Sequence, residues 1–271
     1  MADESGFRPK GSAPERYEQY VAPIAAPFVT AVLDAVDLFP GAAVLDLACG
    51  TGFAARAAAP LVGPAGRVSG IDPDEGMLRV AAAHRPRMYP DIEFTEASAE
   101  KLPHTDAAFD AVVCQQGAQF FADLDAAAAE TARVTRPGGR FAATVWAAKD
   151  LSPYFAAQYE AIKEYGGEET AAEYTKAFTC TAERLTAAFR SAGFQHTTAR
   201  EVTFGIALPR LADFAPGHLS ALPWVQEIVD TGGPEALSGV SRAMCARLAD
   251  RTTPDGTATL PFTATLVTGI R

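Results

Sequence analysis

The nine residues Val44-Leu-Asp-Leu-Ala-Cys-Gly-Thr-Gly52 constrain this chain more than any other stretch. Val44 to Ala48 is an apolar run of strand length interrupted by Asp46, and Cys49 to Gly52 is a turn of small residues. Phe53 to Leu61 follows as an Ala-rich, helix-forming segment. Strand, glycine turn and helix, in that order, open a nucleotide-binding α/β unit. Gly50 and Gly52 let the backbone approach a ligand where a side chain would collide. The N–H groups at the helix start are then free to face it. The run Gly50-Thr-Gly52-Phe-Ala-Ala55 also satisfies the loose dinucleotide pattern G-x-G-x-x-G/A, and a tight turn with no ligand is the plain alternative.

Asp46 narrows the choice. A carboxylate at the strand end repels a pyrophosphate at close range and favours a ligand that carries an ammonium group. S-adenosylmethionine (SAM) has an ammonium, a carboxylate and a sulfonium, and no phosphate. The stretch resembles motif I of the class I SAM-dependent methyltransferases almost letter for letter. That resemblance implies an α/β fold with a doubly wound, mostly parallel seven-stranded sheet of the Rossmann-like methyltransferase kind, carrying helical cap inserts. It also implies SAM as cofactor and methyl transfer as the activity. Two other classes stay open: an NAD-dependent oxidoreductase, which Asp46 weighs against, and a SAM-binding protein of the same fold without turnover.

The expected organisation is a disordered N-terminus at 1–13 and a single domain at 14–271. Within it lie a SAM-binding core at 41–146 and cap inserts at 150–179 and 211–250. Pro14 to Leu38 repeats apolar residues at three- and four-residue steps and reads as a helix, which Pro23 and Pro27 should kink or divide. Gly66 to Ile71 is a second strand ending at Asp72, twenty residues after Gly52. A carboxylate at that spacing can accept from both hydroxyls of a ribose, although Asp72 could equally cap a helix over 73–83. Asp91 to Thr95 is a third strand, Phe109 to Cys114 an apolar fourth, Leu124 to Val134 a helix and Arg140 to Trp146 a fifth strand after an Arg136-Pro-Gly-Gly139 turn. A helix over 181–192, a sixth strand over 196–204 and a seventh over 256–270 complete the layout. The resemblance makes the last strand antiparallel and part of the edge region. The inserts are broken at Gly166-Gly167, Pro216-Gly217, Pro223 and Gly232-Gly233-Pro234.

By resemblance, cofactor contacts fall to Tyr20, Asp46, Ala48, Gly50, Gly52, Asp72, Pro73, Met77, Ser98, Ala99 and Gln115. Ser98 stands where the family often has an Asp that accepts from the adenine amino group, so the adenine contact departs from the pattern. The carboxyl end of the fourth strand, where open α/β sheets bind ligands, carries Gln115, Gln116 and Gln119. Many relatives have a His near position 119, whereas Gln119 can hydrogen-bond but cannot act as a base. Acceptor contacts are expected from Tyr17, Gln116, Gln119, Trp146, Tyr154 and Trp224, because the aromatics of both inserts suit an apolar pocket. If the acceptor must lose a proton, His104 and His218 rank first as bases, with Gln119 as a polar partner.

A net charge of −10, with Lys and Arg scattered, disfavours nucleic acid and points to a small-molecule acceptor, apolar or aromatic, as in secondary metabolism. The four cysteines (Cys49, Cys114, Cys180, Cys245) form no C-x-x-C pair, which reads as reduced thiols in a cytoplasmic protein with no metal site. No apolar run is expected to span a membrane, and a homodimer is compatible with the sequence.

Overall fold

The computed structural model describes residues 11–87, 90–222, 224–233 and 235–271. Strand β1 (Ala43–Leu47) is buried along its whole length, Asp46 included, as a central parallel strand covered on both faces must be. It pairs in parallel with β2 (Arg67–Asp72) on one side and with β4 (Phe109–Gln115) on the other. β3 (Ile92–Glu96) adds beyond β2, and β5 (Thr135–Trp146) beyond β4. With β6 (Gln195–Leu208) and β7 (Ala258–Ile270) the order is β3-β2-β1-β4-β5-β7-β6. The chain steps outward from β1 in both directions. The switch point between β1 and β4 therefore leaves a crevice at their carboxyl ends. β7 runs antiparallel to β5, as expected, but it lies inside the sheet, and β6 takes the edge.

Side chains alternate across the sheet. One face carries Leu45, Leu47, Val112, Cys114, Phe141, Ala143 and Val145, packed on helices Leu124–Val134 and Ala182–Ser191, with Phe141 stacked on Phe189. By register, the other face carries Asp46, Val113, Gln115, Thr144 and Trp146, with Trp146 edge-on to Phe28 of helix Ala22–Val36.

The chain divides into two compact units. The sheet unit comprises 25–147, 180–202 and 264–271, and the helical unit 1–24, 148–179 and 203–263. Both inserts thus fall in the helical unit. Its buried centre is aromatic: Tyr154 meets Phe155, Phe214, His218 and Phe262, and Tyr174 meets Phe178 and Trp224. Thr263 N–H donates to Ser152 Oγ at 3.0 Å, fastening the first insert to β7 within this unit.

Local details depart from the sequence reading. Residues 1–10 lie outside the described residues, as do Pro223 and Pro234. Ser12 and Ala13, read as disordered, open a helical turn (Ala13–Arg16), in which the Ser12 and Glu15 side chains cap each other's backbone N–H groups. A π-helical turn (Tyr17–Val21) then absorbs the bond that Pro23 cannot donate, so the chain stays helical to Val36 instead of dividing. Ala13–Val36 is long and apolar enough to cross a membrane by length and composition, contrary to expectation, but 56% of that apolar window is buried, and a core helix passes the same test. Helix Leu211–Ser220 runs through Pro216-Gly217, because eight of its ten residues are buried and packing outweighs propensity. Helix Pro153–Thr175 does break at Gly167, whose φ is 83°. Arg136–Gly139 is a bulge within β5, not a turn before it: the register jumps from Phe109↔Thr135 to Ala111↔Arg140. Backbone bonds between Arg271 and Gly138 and Gly139, at 2.7 and 2.8 Å, hold that bulge.

Candidate functional site

The site forms where β1, β2 and β4 end. The chain leaves β1 through Ala48, Gly50 and Gly52, all at positive φ (56°, 52° and 81°), and enters helix Phe53–Val62. Two carboxylates brace this turn from beneath. Asp46 Oδ2 accepts the Ala55 N–H at 2.8 Å, satisfying one of the open donors of the first helical turn from a neighbouring strand. Asp72 Oδ2 accepts the Gly50 N–H at 2.8 Å, and its other oxygen accepts the Asp74 N–H at 2.9 Å. Each Asp72 oxygen keeps a lone pair for a further donor.

Burial pushes the Asp46 carboxyl up to about 7 and also raises Asp72. Asp46 is 1% exposed and committed to the helix start, so the carboxylate that the sequence offers to a ligand ammonium is aimed into the turn. Asp72 is not the helix cap: Asp74 caps a helix that begins at Glu75, accepting the Gly76 and Met77 N–H groups, and Pro73 precedes it.

The glycines differ in what they permit. A Cβ at Gly52 would meet the Phe94 ring at 2.9 Å, so that glycine serves packing. A Cβ at Gly50 would meet nothing within 4 Å, so Gly50 borders open space over the turn. Ala48 sits in the left-handed region despite its side chain, and its Cβ fills the place of one at Gly117, which would stand 2.6 Å from it. We expect Ala48→Gly to stabilise the fold by up to about 1 kcal/mol, and Gly117→Ala to destabilise it by roughly 1–3 kcal/mol. Part of the Gly117→Ala loss should disappear in the Ala48→Gly background. Urea unfolding of the double-mutant cycle checks this, and strict additivity would contradict it.

Across the crevice, β4 ends in Gln115 and passes through Gln116, whose φ is 56°, to a short helical turn, Ala118–Phe120. Gln116 N–H donates to the Thr144 carbonyl at 2.9 Å, and Gln119 Nε2 to Gln116 Oε1 at 3.4 Å. Gln115 Nε2, Gln116 Nε2, Gln119 Oε1 and Thr144 Oγ1 are buried without a hydrogen-bond partner, as is Thr51 Oγ1 in the glycine turn. Ser98 follows β3 and donates to Glu100, which in turn accepts the Ala122 and Asp123 N–H groups. Ala99 is buried beside it.

The structure does not bring His104 here. His104 lies edge-on to Phe109 at the amino end of β4, a strand length of ~20 Å from Gln115. Arg133 holds its loop there, donating to the His104 carbonyl at 2.7 Å and to the Leu102 carbonyl at 3.1 Å. Burial lowers the His104 imidazole. His218 belongs to the helical unit, buried against Tyr154 and Phe214, and burial pushes it down to about 3. It stays neutral and is a weak base. Tyr17, Tyr20, Tyr154 and Trp224 are also in the helical unit. There the Tyr20 ring packs edge-on to Phe214 and over Gly217, and Trp224 lies against Tyr174. The thiols of Cys49 and Cys114, both buried, are raised by burial, the second to about 12, and supply no nucleophile.

Residues 44–139 match a family model described as a methyltransferase domain. This segment is similar to methyltransferase domains. The ubiquinone/menaquinone biosynthesis C-methyltransferase of Hahella chejuensis is 44% identical over 102 residues, 37% of this chain and 41% of that protein. Nocamycin O-methyltransferase of Saccharothrix syringae is 38% identical over 121 residues, 44% of this chain and 42% of that protein. The matched stretches thus span less than half the length of these curated relatives. The fold extends the likeness: the arsenic(III) SAM methyltransferase of Chlamydomonas reinhardtii shares it at a TM-score of 0.53 and 18% identity, covering 98% of this chain and 75% of that one. The matched segment holds the glycine turn, Asp72, Ser98 and the glutamines after β4, while Thr144 lies beyond it.

Thr51 and Thr144 escaped the sequence reading. Thr51 lies between two glycines in a turn of small residues, and Thr144 is a polar residue within the apolar run 141–146, which is the available signal.

Proposed function

We propose that this protein is a SAM-dependent methyltransferase acting on a small, apolar or aromatic acceptor. The observation that carries the reading is the glycine turn, braced by two buried carboxylates and open above Gly50. A site for a phosphate-free nucleoside needs this arrangement: donors and close backbone, with a carboxylate at hand for a ribose diol. When bound, SAM supplies a sulfonium methyl for in-line displacement by the acceptor, leaving S-adenosylhomocysteine.

Asp72 would hold the ribose, with Gly50 and Thr51 passing close to the ligand and Ser98 and Ala99 beside the adenine. Met77 would pack against the nucleoside. Asp46 acts at one remove: it fixes the helix start and keeps negative charge beneath the turn, favouring an ammonium above it. Gln115, Gln116 and Gln119 face the reaction end. None of them takes a proton at neutral pH, His104 lies at the opposite end of β4, and burial makes His218 a weak base. Catalysis therefore rests on positioning and exclusion of water, and the acceptor must present its own nucleophile. One relative is named for transfer to carbon and another for transfer to oxygen, so the acceptor atom is a property to be measured. The net charge of −10 supports a small-molecule acceptor over nucleic acid.

Calorimetric titration tests the cofactor. Saturable binding of SAM and none of NADH is the expected outcome, and Gly50→Ala should keep the fold while losing SAM. NADH binding in place of SAM would move the protein to the dinucleotide class. SAM binding with no transfer across a broad acceptor panel would make it a non-catalytic member of the fold.

A further inference from the structure

The glycine turn rests on an aromatic ring that comes from the outermost strand of the sheet. Phe94 lies on β3 as the register partner of Gly70 on β2, so its side chain and the side-chain place of Gly70 are on the same face. A Cβ at Gly70 would stand 2.7 Å from the Phe94 ring, and a Cβ at Gly52 would stand 2.9 Å from it. One ring therefore fills the side-chain place of both glycines. The first is inside β2, and the second, at φ 81°, immediately precedes helix Phe53–Val62. Beside the ring, the Ala81 methyl of helix Glu75–Ala83 lies 3.2 Å from the Cβ place of Gly52, and Cys49 Sγ lies 3.0 Å from that of Gly70. Within this packing the Gly52 N–H donates to the Cys49 carbonyl at 2.8 Å and closes the turn.

The two carboxylates and the ring constrain the turn differently. Asp46 and Asp72 hold it through hydrogen bonds from the Ala55 and Gly50 N–H groups. A hydrogen bond of this kind tolerates roughly half an ångström of length and a broad range of tilt. Contact between carbon atoms has a steep repulsive wall, and the ring stands where no Cβ would fit at either glycine. The carboxylates thus fix the direction of the N–H groups, and the ring fixes how far the helix start stands above the sheet. Gly50, with open space over it, is two residues from Gly52 and shares that level. We propose that Phe94 is a positioning residue for the cofactor: its ring sets the level of the glycine turn over the sheet, and with it the affinity for SAM. This role rests on the methyltransferase reading and concerns that same site, but it falls to a strand that contributes no part of the turn.

The test compares Phe94→Leu, which leaves part of the ring's place empty, with Phe109→Leu, the same change at a fully buried ring at the amino end of β4. SAM is titrated calorimetrically into the full chain, well below the melting temperature of each variant. Phe94→Leu should weaken SAM on the order of tenfold, whereas Phe109→Leu should lower the melting temperature and stay within about twofold of wild-type affinity. Phe94→Met, which fills more of the space, should fall between wild type and Phe94→Leu. In the ligand-free protein, the Gly50 and Ala55 amide resonances report the Asp72 and Asp46 bonds. They should shift in Phe94→Leu and not in Phe109→Leu. Gly70→Ala drives a methyl into the ring and should weaken SAM by itself. Combined with Phe94→Leu it should recover part of the loss, because the methyl refills the space that the shorter side chain vacates. Wild-type SAM affinity in folded Phe94→Leu and Phe94→Met proteins overturns the proposal. So does an equal loss in Phe109→Leu, or losses from Phe94→Leu and Gly70→Ala that simply add. A wild type that binds no SAM overturns the underlying reading and the proposal with it.

Discussion

Asp72→Ala should bind SAM at least on the order of a hundredfold more weakly than the wild type, because hydrogen bonds from two ribose hydroxyls to a carboxylate are each worth roughly 1.5–3 kcal/mol. The same substitution strands the Gly50 and Asp74 N–H groups, which Asp72 accepts at 2.8 and 2.9 Å. It should therefore also cost roughly 1–3 kcal/mol of folding stability. Asp72→Asn separates the two effects. It retains a carbonyl acceptor for one backbone N–H, so it should stay folded, yet it lacks the charge that strengthens the ribose bonds and should still lose about tenfold in affinity. Calorimetry paired with thermal unfolding reads both quantities. A folded Asp72→Ala protein with wild-type SAM affinity would remove Asp72 from the cofactor site.

The second large effect is in pH. Asp46 is raised by burial from its ordinary value of 3.8 to about 7. Below 3.8 the carboxyl is protonated in both folded and unfolded chains, and its contribution to stability is complete. Between that value and about 7 the folded protein holds a proton that the unfolded chain has released. Stability then falls as pH rises, by about 1.4 kcal/mol per pH unit and about 4 kcal/mol in all. Asp72, raised by burial as well, acts in the same direction. The melting temperature should climb as the buffer goes from pH 8 to pH 5.5. Asp46→Asn, which keeps an acceptor for the Ala55 N–H, should flatten that slope and be the more stable protein at pH 8. By linkage, a bound ammonium favours the ionised carboxylate, so SAM affinity should rise with pH over the same interval in the wild type and not in Asp46→Asn. A melting temperature independent of pH between 5.5 and 8 would contradict the placement of Asp46 in a low-dielectric pocket.

The acidic brace also shows where local sequence stops informing. Val44-Leu-Asp-Leu-Ala-Cys-Gly-Thr-Gly52 announces strand, turn and helix because those states depend on near neighbours: apolar alternation, two glycines and an Ala-rich run. The spacing to Asp72 and the parallel order of strands belong to the same class of information, since a βα unit of this length closes in one way. The seven strands and the helices between them were legible on that basis, apart from the bulge at Arg136–Gly139 and the helix that persists through Pro216. Both are set by distant partners, the Arg271 backbone in one case and the packed helical unit in the other.

Which polar groups are spent and which are spare is a tertiary matter. In the sequence Asp46 reads as facing a ligand, and in the fold it is turned inward, accepting the Ala55 N–H of the first helical turn. His104 follows the third strand in sequence, yet the loop returns it to the amino end of β4, pinned by Arg133 from another element. The glutamines after β4 look like a surface loop until burial and their missing partners are counted. A hydrogen bond joins two atoms wherever the chain brings them, so its partner is not encoded in local spacing, and the chemistry of this site was decided by the residues that folding left unpaired.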